Sequence, residues 1–395
     1  MTQTSTREVF RALEAERAQL RAREPLVLEE QVRLAQIPSP TGREAERAGL
    51  LAERLRAPGR RVTIDDAGNV VAWIPGTRDE APIVVCSHMD TVFSGDTPLT
   101  VHRAGSILRG PGISDNARGL AAMLALSDAF RAEQRRIVRP IVLAATTGEE
   151  GDGNLRGARH LFDNDARGAH AAIALDGAGD DRVVSHALGC ARLRIAMHGP
   201  GGHSWAAFGA PNPVHAIGAL IARLTTLPLP TTPRATLTVG RIAGGTAINA
   251  IPREAWMDVD IRSTSADVLQ RLVQEVERSA RQALLVENIA RTSGSAELQL
   301  TLTSIGERPA GAVDEADPLV RAACDATRAV NRTPQLAVAS TDANVPISLG
   351  IPAIAIGAGG HAGQTHTPDE WFDMTDAYLG VARALTIIVT VAGLA

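Results

Sequence analysis

The chain has 395 residues, 45% apolar and 21% charged, which suits two or three soluble domains that each bury a core. Forty basic residues against forty-four acidic leave a net charge of −4 with no long run of either sign, which argues against nucleic acid or an anionic membrane as the main partner. All forty basic residues are Arg and Lys is absent, excluding a Schiff base, a phosphate-loop lysine and Ser-x-x-Lys acylation.

In chain order, the first forty residues read as helix, with Val9, Leu13, Leu20, Val27, Val32 and Leu34 on a broken apolar face. This N-terminal segment alternates Arg and Glu and lacks the apolar stretch of a signal peptide. Nowhere do eighteen apolar residues run together. Cys86, Cys190 and Cys324 form no CxxC pair, so a reducing, cytoplasmic location is expected. A second helix is predicted over 43–57, before Pro58-Gly59. Short β-type runs follow: VTIDDAGNVVAWIPG, APIVVCSHMD and RPIVLAATTGEE. The last two are unbroken apolar runs, as in strands buried on both faces. A helix over 116–134 lies between them. A segment of helical character at 156–163 and the strand AAIALDG complete an α/β pattern with a parallel portion.

The middle third differs. CARLRIAMHG, the helix NPVHAIGALIARLTTL, the strands ATLTVGRIAGG and EAWMDVDIRS, a long helix from Ala266 and the strand AELQLTLTSIG follow one another. That order is β-α-β-β-α-β, the ferredoxin-like unit. A helix over 316–330, the strand IPAIAIG and a helix over 373–393 return to α/β character. The expected architecture is a discontinuous α/β domain with a mixed, partly parallel sheet (1–189 and 306–395). A ferredoxin-like domain (190–305) is inserted into it.

The chemically suggestive residues of the α/β part sit where apolar runs end, and open α/β sheets collect ligands at the carboxyl ends of their strands. His88 and Asp90 in VVCSHMDTV are two apart, so on an extended chain they face the same way. They suit a metal-ligating His with an orienting carboxylate, or equally a surface His beside a capping Asp. Asp115 in GPGISDNARGL stands at a helix entry, where Asp is also a common N-cap. Glu149 and Glu150 are adjacent carboxylates that repel unless a cation or a shared proton holds them. Asp176 closes the strand IALDG, and His366 lies in GAGGHAGQTHTPDEW. Together His88, Asp115, Glu150, Asp176 and His366 suit two Zn²⁺ ions with one bridging carboxylate. That leaves Glu149 beside the site, where a general base belongs.

HMDT, GISDN, GEEG, LDG, GGHS, NAIP, DIR and HTPDE, in that order, resemble the cocatalytic dizinc exopeptidase and amidohydrolase family, which includes peptidase T, carnosinase, the folate-hydrolysing carboxypeptidase, acetylornithine deacetylase and succinyl-diaminopimelate desuccinylase. The resemblance runs from about residue 80 to 372. It implies Asp115 as the bridging ligand, Glu150 and His366 on one metal, and His88 and Asp176 on the other. It also implies Asp90 as the orienter of His88 and Glu149 as the base. His361 competes with His366, but the family spacing of His and Glu four apart is met by His366 and Glu370. The glycines of the same loop match a dinucleotide fingerprint only loosely, because Pro368 does not fit an opening helix.

In the inserted domain the resemblance implies His203 as a donor to the oxyanion, with Asn249 and Arg262 as binders of a substrate carboxylate. It further implies that this domain is a lid through which the chain forms a homodimer. The implied reaction is hydrolysis of an amide bond at the terminus of a short peptide, by a metal-bridged hydroxide with Glu149 as base. Two divalent ions are expected, Zn, Co or Mn. Asp at 176 resembles peptidase T and the dipeptidases, whereas deacylases tend to carry Glu. An N-acyl amino acid amidohydrolase or carboxypeptidase is the alternative, and an inactive binding protein on the same fold a further one. The substrate is thus a short peptide or an N-acyl amino acid, with no nucleic acid or membrane partner.

Overall fold

The computed structural model describes residues 5–132, 137–292 and 294–394. The chain forms two compact units, one from 1–187 with 312–395 and the other from 188–311.

Nine strands form the sheet of the first unit. Its order is Arg61–Ile64, Val70–Ile74, Ile141–Thr146, Ile83–His88, Ala171–Leu175, Ala353–Ile356, Arg182–Ala187 and Gly311–Ala312, with Gln335–Ala339 also paired to Arg182–Ala187. The four strands 141–146, 83–88, 171–175 and 353–356 run parallel. The first three and the last are buried along their whole lengths, which is why they read as unbroken apolar runs. His88 pairs in register with Thr146, so the carboxyl ends of the central strands are level at one edge of the sheet.

Helices Thr6–Ala12, Glu14–Ala35, Ala45–Leu55, Ala117–Ala132, Arg156–Asp163, Pro318–Ala329 and Tyr378–Ala392 follow the periodic segments closely, and the helix expected over 116–134 begins at Ala117. Three strands of this sheet escape the sequence patterns, Arg182–Ala187, Gly311–Ala312 and Gln335–Ala339. So does a small antiparallel sheet of His102–Ala104, Ile107–Arg109, Trp371–Asp373 and His361–Gly363. Strands of three residues carry too little periodicity to read. This sheet matters to the site because it brings the loop holding His366 back to the segment before Asp115.

In the second unit Gly189–His198, Pro213–Leu224, Ala235–Gly244, Glu254–Ser263, Ala266–Ala290 and Gln299–Arg308 follow in β-α-β-β-α-β order. The strands form one antiparallel sheet, 235–244, 254–263, 189–198, 299–308. Its core includes Leu193, Ile195, Ile217, Leu220, Val259 and Val276. A two-residue ladder pairs Gly202 with Ile251 and His203 with Ala250. Among the described residues, no helix is long and apolar enough to cross a membrane.

Candidate metal centre

Six acidic or imidazole side chains meet at the level carboxyl ends of the sheet. His88 is the last residue of its strand, Asp176 directly follows Ala171–Leu175, and Glu149 and Glu150 lie in the turn after Ile141–Thr146. Asp115 sits two residues before the helix Ala117–Ala132, and His366 comes from the distant loop. Their donor atoms fall into three groups, each with all atoms within 4.8 Å of one another: His88, Asp115 and Asp176; Asp115, Glu150 and His366; and His88, Glu149 and Glu150. All five residues expected as ligands are brought together, and Glu149 lies among them.

Asp115 joins the two groups that contain the other four expected ligands. Its Oδ1 lies 3.0 Å from His88 Nε2 and its Oδ2 3.1 Å from His366 Nε2, so each oxygen faces a different imidazole. Oδ1 is shut off from solvent and accepts no hydrogen bond. A buried carboxylate oxygen without a donor is costly, whereas a cation between it and the facing ring nitrogen satisfies both. His366 Nε2 also lies 2.9 Å from Glu150 Oε1, so one ring nitrogen faces two carboxylates although it carries at most one proton. Two imidazoles and three carboxylates are the donor set of a divalent pair, and the residues fit it.

Electrostatics record the same crowding. Burial by itself would lower the His88 pKa, but Asp115, Asp176 and Asp90 override it and raise it well above the ordinary value. Hydrogen bonding to Asp115 and Glu150 pushes His366 up to about 10 against its partial burial. Burial works to raise the Asp115 carboxyl, yet His366 and His88 hold it far below the usual carboxylate range. The site thus holds protons that a bound metal would displace.

Asp90 does something other than simple alternation suggested. The strand ends at His88, so the two side chains are not locked to one face. His88 Nδ1 lies 3.1 Å from the main-chain oxygen of Asp90 and 3.6 Å from its carboxylate Oδ1. The carboxylate instead accepts the main-chain N–H groups of Glu149 and Glu150, both at 2.9 Å, and the Thr41 hydroxyl at 2.8 Å. Nor does Asp115 cap the helix behind it. Asn116 Oδ1 accepts the Gly119 N–H at 3.2 Å, and that frees the Asp115 carboxylate for the centre.

Several supporting residues went unread in the sequence. Glu370, seen only as a spacing mark, is fully buried and accepts the main-chain N–H groups of Ser114 and Asp115 at 2.7 and 2.9 Å. Burial raises its pKa to about 7. Asp342, also buried, accepts the Thr146 hydroxyl, and burial raises its pKa to about 6. The buried Arg47 donates to the carbonyls of Met89 and Ile37 at 2.6 and 2.7 Å. Glu44 accepts the Gly148 N–H at 3.2 Å and the Arg156 guanidinium at 2.7 Å, which ties the Glu149–Glu150 turn to the helix Ala45–Leu55. No local pattern announces these residues, because their partners are remote in the chain.

His361 is exposed on its short strand and belongs to none of the three donor groups. His203, Asn249 and Arg262 lie in the second unit. There His203 Nδ1 accepts the Trp205 N–H at 3.2 Å, the Asn249 carbonyl accepts the Ser204 N–H at 3.0 Å, and Arg262 Nε donates to Asp260 at 2.7 Å.

A family model described as peptidase family M20/M25/M40 matches residues 84–390. An uncharacterized protein, YqjE, of Bacillus subtilis is 28% identical over 365 residues, covering 88% of this chain and 93% of that one. The succinyl-diaminopimelate desuccinylase of Paracoccus denitrificans is 30% identical over 262 residues, covering 61% and 68%. In fold, the crystal structure of aminopeptidase PepT from Bacillus cereus superposes with a TM-score of 0.77 at 22% identity, covering 94% of this chain and 99% of that one.

Proposed function

Because the chain belongs to peptidase family M20/M25/M40, the dizinc exopeptidase and amidohydrolase family that its motifs resemble, we propose that it hydrolyses the amide bond at one terminus of a short peptide, with Glu149 as general base. The observation that carries this reading is the pair of donor groups joined through Asp115, with Glu149 alongside. His88, Asp115 and Asp176 would hold one divalent ion, and Asp115, Glu150 and His366 the other. Such ions, Zn most simply and Co or Mn alternatively, lower the pKa of a water and polarise the scissile carbonyl.

Glu149 accepts the proton of the attacking water and passes it to the leaving nitrogen. Asp90 keeps that carboxylate in place through the main-chain bond to its own residue. His203 donates to the oxyanion: with Nδ1 accepting from Trp205, the neutral ring carries its proton on Nε2, the nitrogen left to donate. Asn249 and Arg262 bind the substrate carboxylate. The second unit, 188–311, serves as a ferredoxin-like lid through which two copies pair, and the enzyme works in the cytoplasm.

Hydrolysis of an N-acyl amino acid is the second reading, favoured by the relative named a succinyl-diaminopimelate desuccinylase. A panel of di- and tripeptides and N-acyl amino acids, assayed with added Zn²⁺, Co²⁺ or Mn²⁺, separates the two. Cleavage confined to N-acyl amino acids would replace the peptidase reading. Cleavage of neither class, with metals bound, would favour a binding protein.

A further inference from the structure

A pocket of about 210 Å³ opens beside Asp176, and the mechanism above makes no use of it. Arg182, Val184, Ala339, Thr341 and Ile356 are among the residues that line it with Asp176. Its volume falls below the roughly 300–1,000 Å³ of sites that enclose a whole ligand, so it suits one side chain. The walls are mostly small and apolar, and the polar residues number four: Asp176, Arg182, Ser340 and Thr341.

Arg182 supplies the cation of this pocket. It opens the strand Arg182–Ala187 and, two residues from Val184, projects from the same face of the sheet. The acids next to it in the chain are engaged elsewhere: Asp180 with Arg332 at 2.9 Å and Asp181 with Gln335 at 2.9 Å. Asp176, the carboxylate in the wall, belongs to the metal-ligand group with His88 and Asp115. The pocket therefore offers small apolar walls with one cationic side chain, Arg182, among its lining residues.

The donor groups decide which part of a substrate reaches it. Glu149 groups with His88 and Glu150, whereas Asp176 groups with His88 and Asp115. The leaving nitrogen must lie against Glu149 to receive its proton, and Asp176 shares no donor group with Glu149, so the flank beside Asp176 is taken as the carbonyl side of the scissile bond.

We propose that this pocket receives the side chain of the N-terminal residue of a short peptide, and that Arg182 makes it select an acidic one, Asp or Glu. The proposal rests on the peptidase reading and adds a substrate class to it. A planar guanidinium pairs well with a carboxylate. Because Arg182 is exposed, water screens the pairing, and the expected preference is about fivefold.

The test measures kcat/KM of the metal-loaded enzyme on dipeptides that differ only in the first residue, as Asp against Asn, Glu against Gln, and Lys. The wild type should favour each acid over its amide about fivefold. Arg182→Gln should bring both ratios near one, and Arg182→Glu should turn the preference toward Lys. Ratios within one protein do not depend on its absolute activity. Calorimetry gives a second readout, in which free glutamate should bind the wild type more tightly than glutamine does and lose that advantage in Arg182→Glu. Equal rates on acid and amide in the wild type, or a preference that Arg182→Glu leaves unchanged, overturns the proposal while the peptidase reading stands. If none of these or any other peptide is cleaved and N-acyl amino acids are, the peptidase reading itself fails and the proposal falls with it. Should Arg182→Glu not fold, the wild-type and Arg182→Gln ratios decide.

Discussion

Asp90 Oδ1 accepts the main-chain N–H of Glu149 at 2.9 Å, which joins the end of one buried strand to the turn that follows its neighbour. Oδ2 takes the Glu150 N–H and the Thr41 hydroxyl. Burial works against ionisation here, but His88 and these amides win and lower the Asp90 pKa to about 2. A depressed acid stabilises the fold above its unfolded value near ~4, and that contribution is lost as pH falls through about 2. Asp90→Ala strands three donors at about 1–3 kcal/mol each. Calorimetric melting should show a clear loss of Tm, with Asp90→Asn, which keeps an acceptor, falling between.

Glu149→Ala and Asp115→Ala should fail in different ways. A base that only moves protons can be removed with both metals retained, at a cost of about 10²–10⁴ in kcat. Asp115→Ala should instead empty at least one metal position, because one carboxylate serves both groups. Metal analysis beside kinetics checks the contrast. Near-normal turnover of Glu149→Ala would remove it from the role.

Metal uptake should release protons. In the metal-free protein His366 is held near a pKa of about 10 and His88 is also raised, so both rings are protonated at pH 7. Ligation needs neutral imidazole. Affinity should therefore climb as pH rises toward 10 and fall on acidification. Calorimetry of Zn²⁺ binding at pH 7, in buffers of different ionisation enthalpy, should register at least one proton released. A buffer-independent heat would contradict the assignment of these rings as ligands.

Glu370 should act through the backbone of Asp115. Glu370→Gln keeps an oxygen that can accept the Ser114 and Asp115 N–H groups, and burial already raises the Glu370 pKa to about 7. Its Tm and metal content should stay close to wild type. Glu370→Ala leaves two buried donors bare, at about 1–3 kcal/mol each, and should lower both. Equal effects of the two variants would mean that the contact does not position Asp115.

His203 is tested by mixing. If it acts on the active site of a paired copy, Glu149→Ala and His203→Ala proteins, each inactive, should recover up to about a quarter of wild-type activity once their subunits exchange, as an isologous dimer requires. Exchange without recovery would place its action within one chain or nowhere.

Much of this was legible in the amino-acid order. Ile83–His88 and Ile141–Thr146 are covered on both faces, so their leading residues, 83–86 and 141–145, are apolar, which made His88, Glu149 and Glu150 conspicuous where those runs stop. The β-α-β-β-α-β order of the middle third was readable because its strands alternate and its helices are amphipathic. Arg182–Ala187 and Gln335–Ala339 mix burial classes irregularly, so no period marked them.

Local order determined which residue types stand at the strand ends, and with them the chemistry of the centre. Which atoms meet there was decided only by the tertiary structure. Glu370 reaches Ser114 across 256 residues, Asp342 reaches Thr146 across 196, and Asp90 spans 59 to Glu149. The pocket at Arg182 exists only because three separate stretches of chain converge on it. A period along the chain records which face of one element is buried, but it carries nothing about the remote donor or acceptor that a buried polar group must find once water is excluded.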